Sequence, residues 1–183
     1  MTHGKPPVVL VLASGKGERF VASGGRGSKL AALLAGRPVL EHTLDAVRAS
    51  GLPFHVEDAG HPGMGDSIAA GVRATADAGG WLVLPGDLPL MAPQSLRAVA
   101  AALAQASVVL PTYQGERGHP VGFAAQHGAA LQALTGPEGA AAIVRQGAVL
   151  RLNLDDPGIV TDIDTMDDLA RAERLLAARP SVR

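Results

Sequence analysis

The sequence predicts an α/β fold of three layers, α/β/α, with helices on both faces of a mostly parallel, Rossmann-like sheet and one small antiparallel insertion. Three observations predict it. Continuous apolar runs at Val8–Ala13 and in "WLVLPG" have the pattern of strands buried on both faces. Segments with helical spacing alternate with such runs along the chain, which implies crossover connections and parallel pairing. A turn-rich stretch around Gly115, in "QGERG", interrupts that alternation as a hairpin would.

The elements follow in order. Val8–Ala13 is the first strand, and a long Gly/Ser loop follows it from Ser14 to Ser28. "KLAALLAGRPVLEHTLDAVRASG" holds a short apolar stretch, a turn at Ala35–Gly36 and a helix that Pro38 suits as a first-turn residue and Gly51 ends. "FHVED" reads as the second strand, "GMGDSIAAGVRATADAGG" as a helix with glycines at both ends, and "WLVLPG" as the third strand. A helix from about Pro93 to Ala106 precedes the strand "SVVLP", the turn "QGERG" and the strand "HPVGFAA". Short helical stretches lie around "HGAALQAL" and "EGAAAIVRQ". The strand "AVLRLNL", the turn "DDPG", a short extended piece "IVTDID" and a helix from about Met166 to Ala178 complete the series. Without a repeat, linker or low-complexity tract, residues 1–183 read as a single domain, with tails at 1–7 and 179–183.

Composition narrows the function. Hydrophobic residues are 47% and charged residues 18% of the chain, which excludes disorder on composition. No apolar run approaches the ~20 residues of a membrane span. A net charge of -1, with both signs interleaved, offers no basic field, so neither nucleic acid nor a membrane is expected as a partner. The absence of cysteine excludes disulfides, thiolate metal sites and cysteine nucleophiles. The opening "MTHGKPP" lacks the apolar core of a secretory signal, so a cytoplasmic location is the expectation.

In an open parallel sheet, ligands sit beyond the carboxyl ends of the strands, which directs attention to the loops after Ala13, Leu84 and Val160. The first loop lacks the third glycine of a dinucleotide fingerprint, since Phe20 stands there, and Gly15–Lys16 is followed by Gly17 rather than Ser or Thr. What remains is a glycine-rich turn with Lys16, Arg19, Arg26 and Lys29 along it. Exposed N–H groups and guanidinium forks suit a polyphosphate, and a solvated surface loop is the alternative reading.

Asp87, in "PGDLP", follows a buried strand and is stopped from continuing it by Pro89; it reads as a metal ligand or as a turn residue. Asp162 and Asp164 flank Ile163 and share one face in extended chain, so with Asp87 they offer the oxygen donors that Mg²⁺ prefers. Thr165 with Asp167 and Asp168 reads instead as the capped start of a helix. "GMGDS" opens another helix, whose N–H groups attract anions, whose Ser67 is a hydrogen-bonding group, and whose Gly63 and Gly65 permit close approach of a nucleotide. His119, held extended by Pro120, has a supporting role, and the remaining histidines show no zinc-site spacing.

"LASGKGERF", "SKL", "GMGDSIAAGV", "PGDLPLM", "RGHPVGF" and "DIDTMDDL", in this order, resemble the nucleotidyltransferases of the molybdenum cofactor. The nearest likeness is to the cytidylyltransferase branch, with the guanylyltransferase branch as its sister. The resemblance implies the nucleotide-diphospho-sugar transferase fold. It implies that Ala13, Gly15, Gly17, Arg19 and Lys29 wrap a triphosphate, Lys29 lying against the α-phosphate, with Leu12 and Ser14 also among the nucleotide-binding residues. By the same resemblance Pro85, Gly86 and Asp87 are expected to carry the acidic motif, Gly65 and Ser67 to face base and ribose, and His119 and Pro120 to border the acceptor pocket. Asp87 and Asp164 are the implied direct ligands of Mg²⁺, with Asp162 beside them, and Lys29, Asp87 and Asp164 the implied catalytic set. Two departures stand out: Ser14 replaces the Ala of one branch and the Gly of the other, and "VASGGRGS" lengthens the loop before Lys29.

The implied reaction transfers CMP from CTP to the terminal phosphate of molybdopterin or its metal-loaded form and releases pyrophosphate. A phosphate nucleophile, with a second pKa of about 6, needs no general base. GTP as donor, another phosphorylated acceptor, and a non-catalytic pterin- or nucleotide-binding module are the alternatives. A molybdoenzyme or its maturation chaperone is the protein partner such a product implies.

Overall fold

The computed structural model describes residues 5–15 and 17–178. The chain runs β1 (Val8–Leu12), α1 (Glu18–Ala22), β2 (Leu33–Leu34), β3 (Arg37–Pro38), α2 (Val39–Ser50), β4 (Phe54–Glu57) and α3 (Met64–Ala74). It continues as β5 (Gly80–Pro85), α4 (Pro93–Ala102), β6 (Val108–Tyr113), β7 (Glu116–Arg117) and β8 (Val121–Ala124), then α5 (Gly128–Gln132), α6 (Ala141–Gln146), β9 (Val149–Asn153) and α7 (Met166–Ala177).

Seven of these strands form one sheet. β1 pairs in parallel with β4 and with β5. β8 is inserted antiparallel between β5 and β6, and β9 runs parallel to β6. Thr112 of β6 pairs with Asn153 of β9 on one side and Arg117 of β7 on the other, so β7 continues the line of β8. Helices cover both faces, as the double-sided apolar runs require. Val9, Val11, Leu82 and Leu84 meet Leu44 and Val47 of α2 and Leu96 and Val99 of α4. The alternate residues Leu10, Leu12, Trp81 and Val83 meet Ile68 and Val72 of α3 and Leu131 of α5. The mixed, mostly parallel three-layer fold is the one the sequence predicts.

A third cluster lies at the carboxyl rim. Phe20, Leu34, Val39, Leu90, Ile163, Leu169 and Ala172 draw the first loop, the β2–β3 hairpin and α7 into one apolar contact. Here the structure departs from the sequence reading. The stretch from Ser14 to Ser28 is not loop throughout, because it contains α1, and Phe20, only 2% exposed, anchors that helix. The residue that broke the glycine fingerprint is a core residue. A Cβ on Gly25 would run into the Phe20 ring, so glycine lets the loop close over it.

"IVTDID" is not extended either: Pro157–Val160 is a 3₁₀ turn, and residues 161–164 are irregular. The cause is Asp156, a buried carboxylate. It accepts hydrogen bonds from the Gly158 N–H (2.8 Å), the Ala92 N–H (2.9 Å) and the Ser95 hydroxyl (2.7 Å), which curls the chain onto the start of α4. A Cβ on Gly158 would strike the Leu90 carbonyl, so only glycine passes there.

Smaller differences concern ends. β1 stops at Leu12 and α4 at Ala102, Pro38 precedes α2 as its N-cap, and His119 and Pro120, joined by a cis peptide bond, lie between β7 and β8 rather than in a strand. The two predicted turns are tight hairpins, with Ala35 and Gly36, and Gln114 and Gly115, all at positive φ.

Three hydrogen bonds bring the strand exits together: Gly86 N–H to the Leu12 carbonyl (2.9 Å), Ala13 N–H to the Glu57 carbonyl (2.8 Å) and Ile163 N–H to the Asp87 carbonyl (3.0 Å). The last ties the Asp162–Asp164 segment to Asp87. Among the described residues no helix is long and apolar enough to cross a membrane.

Because the Asp156 carboxylate accepts three hydrogen bonds, two of them buried, Asp156→Ala is expected to lower the unfolding free energy by about 2–3 kcal/mol, and Asp156→Asn by less. Urea denaturation followed by circular dichroism measures the difference.

Candidate functional site

The site is built from three rim segments. Lys29 follows the α1 loop, and Gly17, at φ 63°, makes the left-handed turn beneath it that begins α1. Asp87 follows β5, where Gly86 is squeezed between Leu40 and the Leu12 carbonyl and its own carbonyl accepts a hydrogen bond from the Thr43 hydroxyl at 2.9 Å. Asp164 precedes α7, whose start is fixed by the capping box of Thr165 and Asp168; the Asp168 carboxylate also accepts the Asp164 N–H at 3.1 Å.

The Lys29 ammonium bridges two carboxylates, donating to Asp87 Oδ2 at 2.5 Å and to Asp164 Oδ1 at 2.7 Å. Arg19 holds the other Asp164 oxygen at 2.7 Å. These charges are largely withdrawn from water: the side chains of Lys29, Asp87 and Asp164 are 13%, 11% and 17% exposed. Burial works against the Lys29 charge, but Asp87 and Asp164 outweigh it and raise its pKa above the ordinary lysine value. Asp164 is also penalised by burial, yet Lys29 and Arg19 hold its carboxyl below the usual range. Asp162 goes the other way, raised by burial and by the negative charge of Asp164 and Asp87.

Asp87, Asp162 and Asp164 offer carboxylate oxygens that all lie within 4.8 Å of one another. Asp87 Oδ1 is shielded from solvent and has no hydrogen-bond partner among the described residues. An all-oxygen donor set with excess negative charge and an unsatisfied buried oxygen fits a hard divalent cation such as Mg²⁺ or Mn²⁺.

Beside this cluster opens a cleft of ≈ 190 Å³. Of the residues singled out from the sequence, Leu12, Ser14, Gly15, Lys29, Ser67, Pro85, Gly86 and Asp87 line it, and Gly63 does too. Ala13, Gly17, Arg19 and Gly65 do not, and Lys16 lies outside the described residues. Arg26 is exposed, whereas the lengthened loop still delivers Lys29 to the carboxylates.

Gly63, Gly65 and Ser67 also have roles within the protein itself. Gly63 and Gly65 are required by the protein itself: a Cβ on either would run into the backbone of Thr135 and Gly136, and the Gly65 N–H donates to the Gly136 carbonyl at 2.8 Å. Ser67 spends its hydroxyl hydrogen on the Gly63 carbonyl at 3.2 Å.

His119 lines a second cavity of ≈ 310 Å³, mostly apolar, that shares Met64 with the first and has Arg117 and Arg145 among its lining residues. The His119 ring hydrogen-bonds the Val83 carbonyl, and burial pushes its pKa down although Asp87 nearby pulls it up. Its Nδ1 has no partner among the described residues. Pro120 is buried and does not line this cavity.

Sequence reasoning missed Leu30, His61, Pro62 and Met64, which complete the first cleft. It also missed Glu57, 7% exposed at the end of β4, whose carboxylate binds His55 and His61. No local pattern marks them; they matter only because α3 begins beside the first loop.

Residues 45–152 match the family described as the MobA-like NTP transferase domain. The bifunctional protein GlmU of Halorhodospira halophila is 31% identical over 118 residues, 52% of this chain and 24% of that protein, so the chain spans about a quarter of that curated relative. Among solved structures, Rv0371c of Mycobacterium tuberculosis superposes with a TM-score of 0.79 at 24% identity, covering 95% of this chain and 100% of that one. The same protein is also known as a manganese complex, at a TM-score of 0.72, 22% identity, and coverage of 96% and 100%. The molybdopterin-guanine dinucleotide biosynthesis protein A of Archaeoglobus fulgidus gives a TM-score of 0.70 at 19% identity, covering 94% and 100%. At these identities the structural likenesses describe the shared fold.

Mn²⁺ titrated into the protein is expected to lose its free-ion paramagnetic resonance signal as it binds. Asp87→Asn should weaken that binding by about ten- to a hundredfold, because it removes the charge of one of the three carboxylates in the cluster.

Proposed function

The chain belongs to the family of MobA-like NTP transferase domains, and from that premise we propose that it is a nucleotidyltransferase moving CMP from CTP to the terminal phosphate of a molybdopterin-type acceptor. Mg²⁺ is the proposed metal and pyrophosphate the second product. One observation carries this reading: Lys29, Asp87 and Asp164, far apart in sequence, meet in one cluster, and Lys29 and Asp87 line a cleft together with Ser14 and Gly15 of the glycine loop.

A terminal phosphate oxygen of the acceptor attacks the α-phosphorus, and the bond from that phosphorus to the bridging oxygen of the β-phosphate breaks. The nucleophile is already largely dianionic near neutral pH, so the chain supplies no base. Its residues bind, orient and neutralise. Lys29, kept charged by its carboxylates, pivots its ammonium toward the α-phosphate. Arg19, with a planar fork and a side chain 76% exposed, reaches the leaving pyrophosphate. Ser14 and Gly15 line the phosphate end of the cleft. Asp87, with Asp164 and Asp162, would hold the divalent ion, whose contribution when bound is to offset charge on the phosphate oxygens.

The cavity beside His119 and Pro120 is the proposed acceptor site. It shares Met64 with the first cleft, and of its charged lining residues Arg145 pairs with Glu138 at 3.6 Å while Arg117 offers positive charge to an anionic acceptor. The Archaeoglobus neighbour favours GTP as the second reading for the donor, and an assay of pyrophosphate release with the four nucleoside triphosphates decides between them.

Chelation of divalent metal should abolish release, and Mg²⁺ or Mn²⁺ should restore it. Asp87→Ala should abolish turnover with a smaller effect on nucleotide affinity, and Lys29→Ala should lower kcat by about 10²–10³-fold. Full activity in the Asp87 variant would overturn the assignment.

A further inference from the structure

The cleft has two chemically different ends. Lys29 and Asp87 mark the charged end, while Leu12, Leu30, Pro62 and Met64 form apolar walls of the kind a planar ring fills. Among these walls stand two polar side chains, His61 and Ser67, and the hydrogens of both are committed elsewhere. The Ser67 hydroxyl donates to the Gly63 carbonyl. The His61 Nε2 lies 3.0 Å from Glu57 Oε1. A carboxylate only accepts, so the hydrogen is on Nε2, and in the neutral ring Nδ1 is an acceptor.

Glu57 is well held in this role. Its second oxygen is 3.3 Å from His55 Nε2, Oε1 also accepts the Ala59 N–H at 3.3 Å, and its backbone carbonyl takes both the Ala13 N–H and, at 3.1 Å, the Ser14 hydroxyl. Burial disfavours its charge, but the donors from His55, Ala59 and His61 prevail and keep the carboxyl below the ordinary glutamate value. The His61 side chain is 26% exposed, enough to present the ring to the cleft it lines.

We propose that His61, its tautomer set by Glu57, is a specificity determinant of the apolar end of the cleft, accepting a hydrogen bond from an exocyclic amino group of the nucleotide base. The inference rests on the reading of this cleft as the nucleotide site. Two acceptors and no free side-chain donor favour a base that presents an NH₂ group, and they repel one that presents a carbonyl in the same place. Cytosine against uracil isolates this difference, since NH₂ at one ring position is replaced by oxygen. Glu57 acts through His61 and is a positioning residue.

The test is calorimetric binding of CTP and UTP, each with Mg²⁺, in mildly alkaline buffer. The wild-type chain should bind CTP at least about tenfold more tightly, the difference expected of a single well-placed hydrogen bond. His61→Ala should bring the ratio close to one. Glu57→Leu should do the same, whereas Glu57→Gln, whose amide oxygen still accepts from Nε2, should keep most of it; a merely structural role for Glu57 would not separate Gln from Leu by base preference. Equal binding of CTP and UTP by the wild type, an unchanged ratio in His61→Ala, or no nucleotide binding at all would overturn the proposal. Discrimination in binding without pyrophosphate release from any triphosphate would remove the transferase reading and leave this one standing.

Discussion

The bridge from Lys29 to Asp87 and Asp164 is the interaction on which the rim of this molecule depends. It joins residues separated by 58 and 135 positions in the chain. Each of the three charged groups is largely buried and carries a desolvation cost, and each is tolerable because the others are present. For such an arrangement, removing one partner costs about 3–5 kcal/mol, far more than a surface pair. Without the ammonium, three carboxylates would face one another across a space of a few ångströms. The bridge thus keeps together three carboxylates whose oxygens lie within 4.8 Å of one another, a donor set that a divalent cation could use.

The scaffold fixes the backbone that carries these carboxylates. Asp87 is held by its position immediately beyond β5, and its carbonyl accepts the Ile163 N–H while Ile163 itself, fully buried, is anchored among Phe20, Leu34 and Leu169. Asp162 and Asp164 are thus fixed by an apolar residue between them, and the capping box after Asp164 stops the chain from drifting. Asp156 works further back, turning the chain toward the rim. Rigid placement by hydrogen bonds and core contacts is what a reaction based on charge positioning needs. The glycines at the start of α3 belong to this scaffold as well, since they seat the helix against Gly136 and so set the far wall of the cleft.

Much of the fold was legible in the sequence for local reasons. The apolar runs at Val8–Ala13 and Trp81–Leu84 declare a sheet covered on both faces, Ala35–Gly36 and Gln114–Gly115 declare tight turns, and Thr165 with Asp168 declares a helix start. Each signal resides in a few neighbouring residues and survives whatever the rest of the chain does. α1 left no such trace, because five residues are too short for a periodic pattern and Phe20 is recognisable as an anchor only once Leu34 and Ile163 surround it. The curl at Pro157–Val160 was hidden for a similar reason: Asp156 caps two elements at once, one of them 64 residues away.

The candidate site divides along the same line. By itself the sequence determined the chemical inventory: carboxylates beyond the strand exits, a glycine loop with cations, no thiol and no base–nucleophile pair. Those are properties of residue type and neighbourhood, and they set the class of chemistry. Only the tertiary structure decided which members of the inventory meet. It selected Lys29 over Arg26 as the partner of Asp87, assigned Gly63 and Gly65 to helix seating, and joined Glu57 to His61 at the edge of the cleft. Distances between residues remote in sequence come from the packing of sheet, helices and rim together, and no short stretch of chain encodes them.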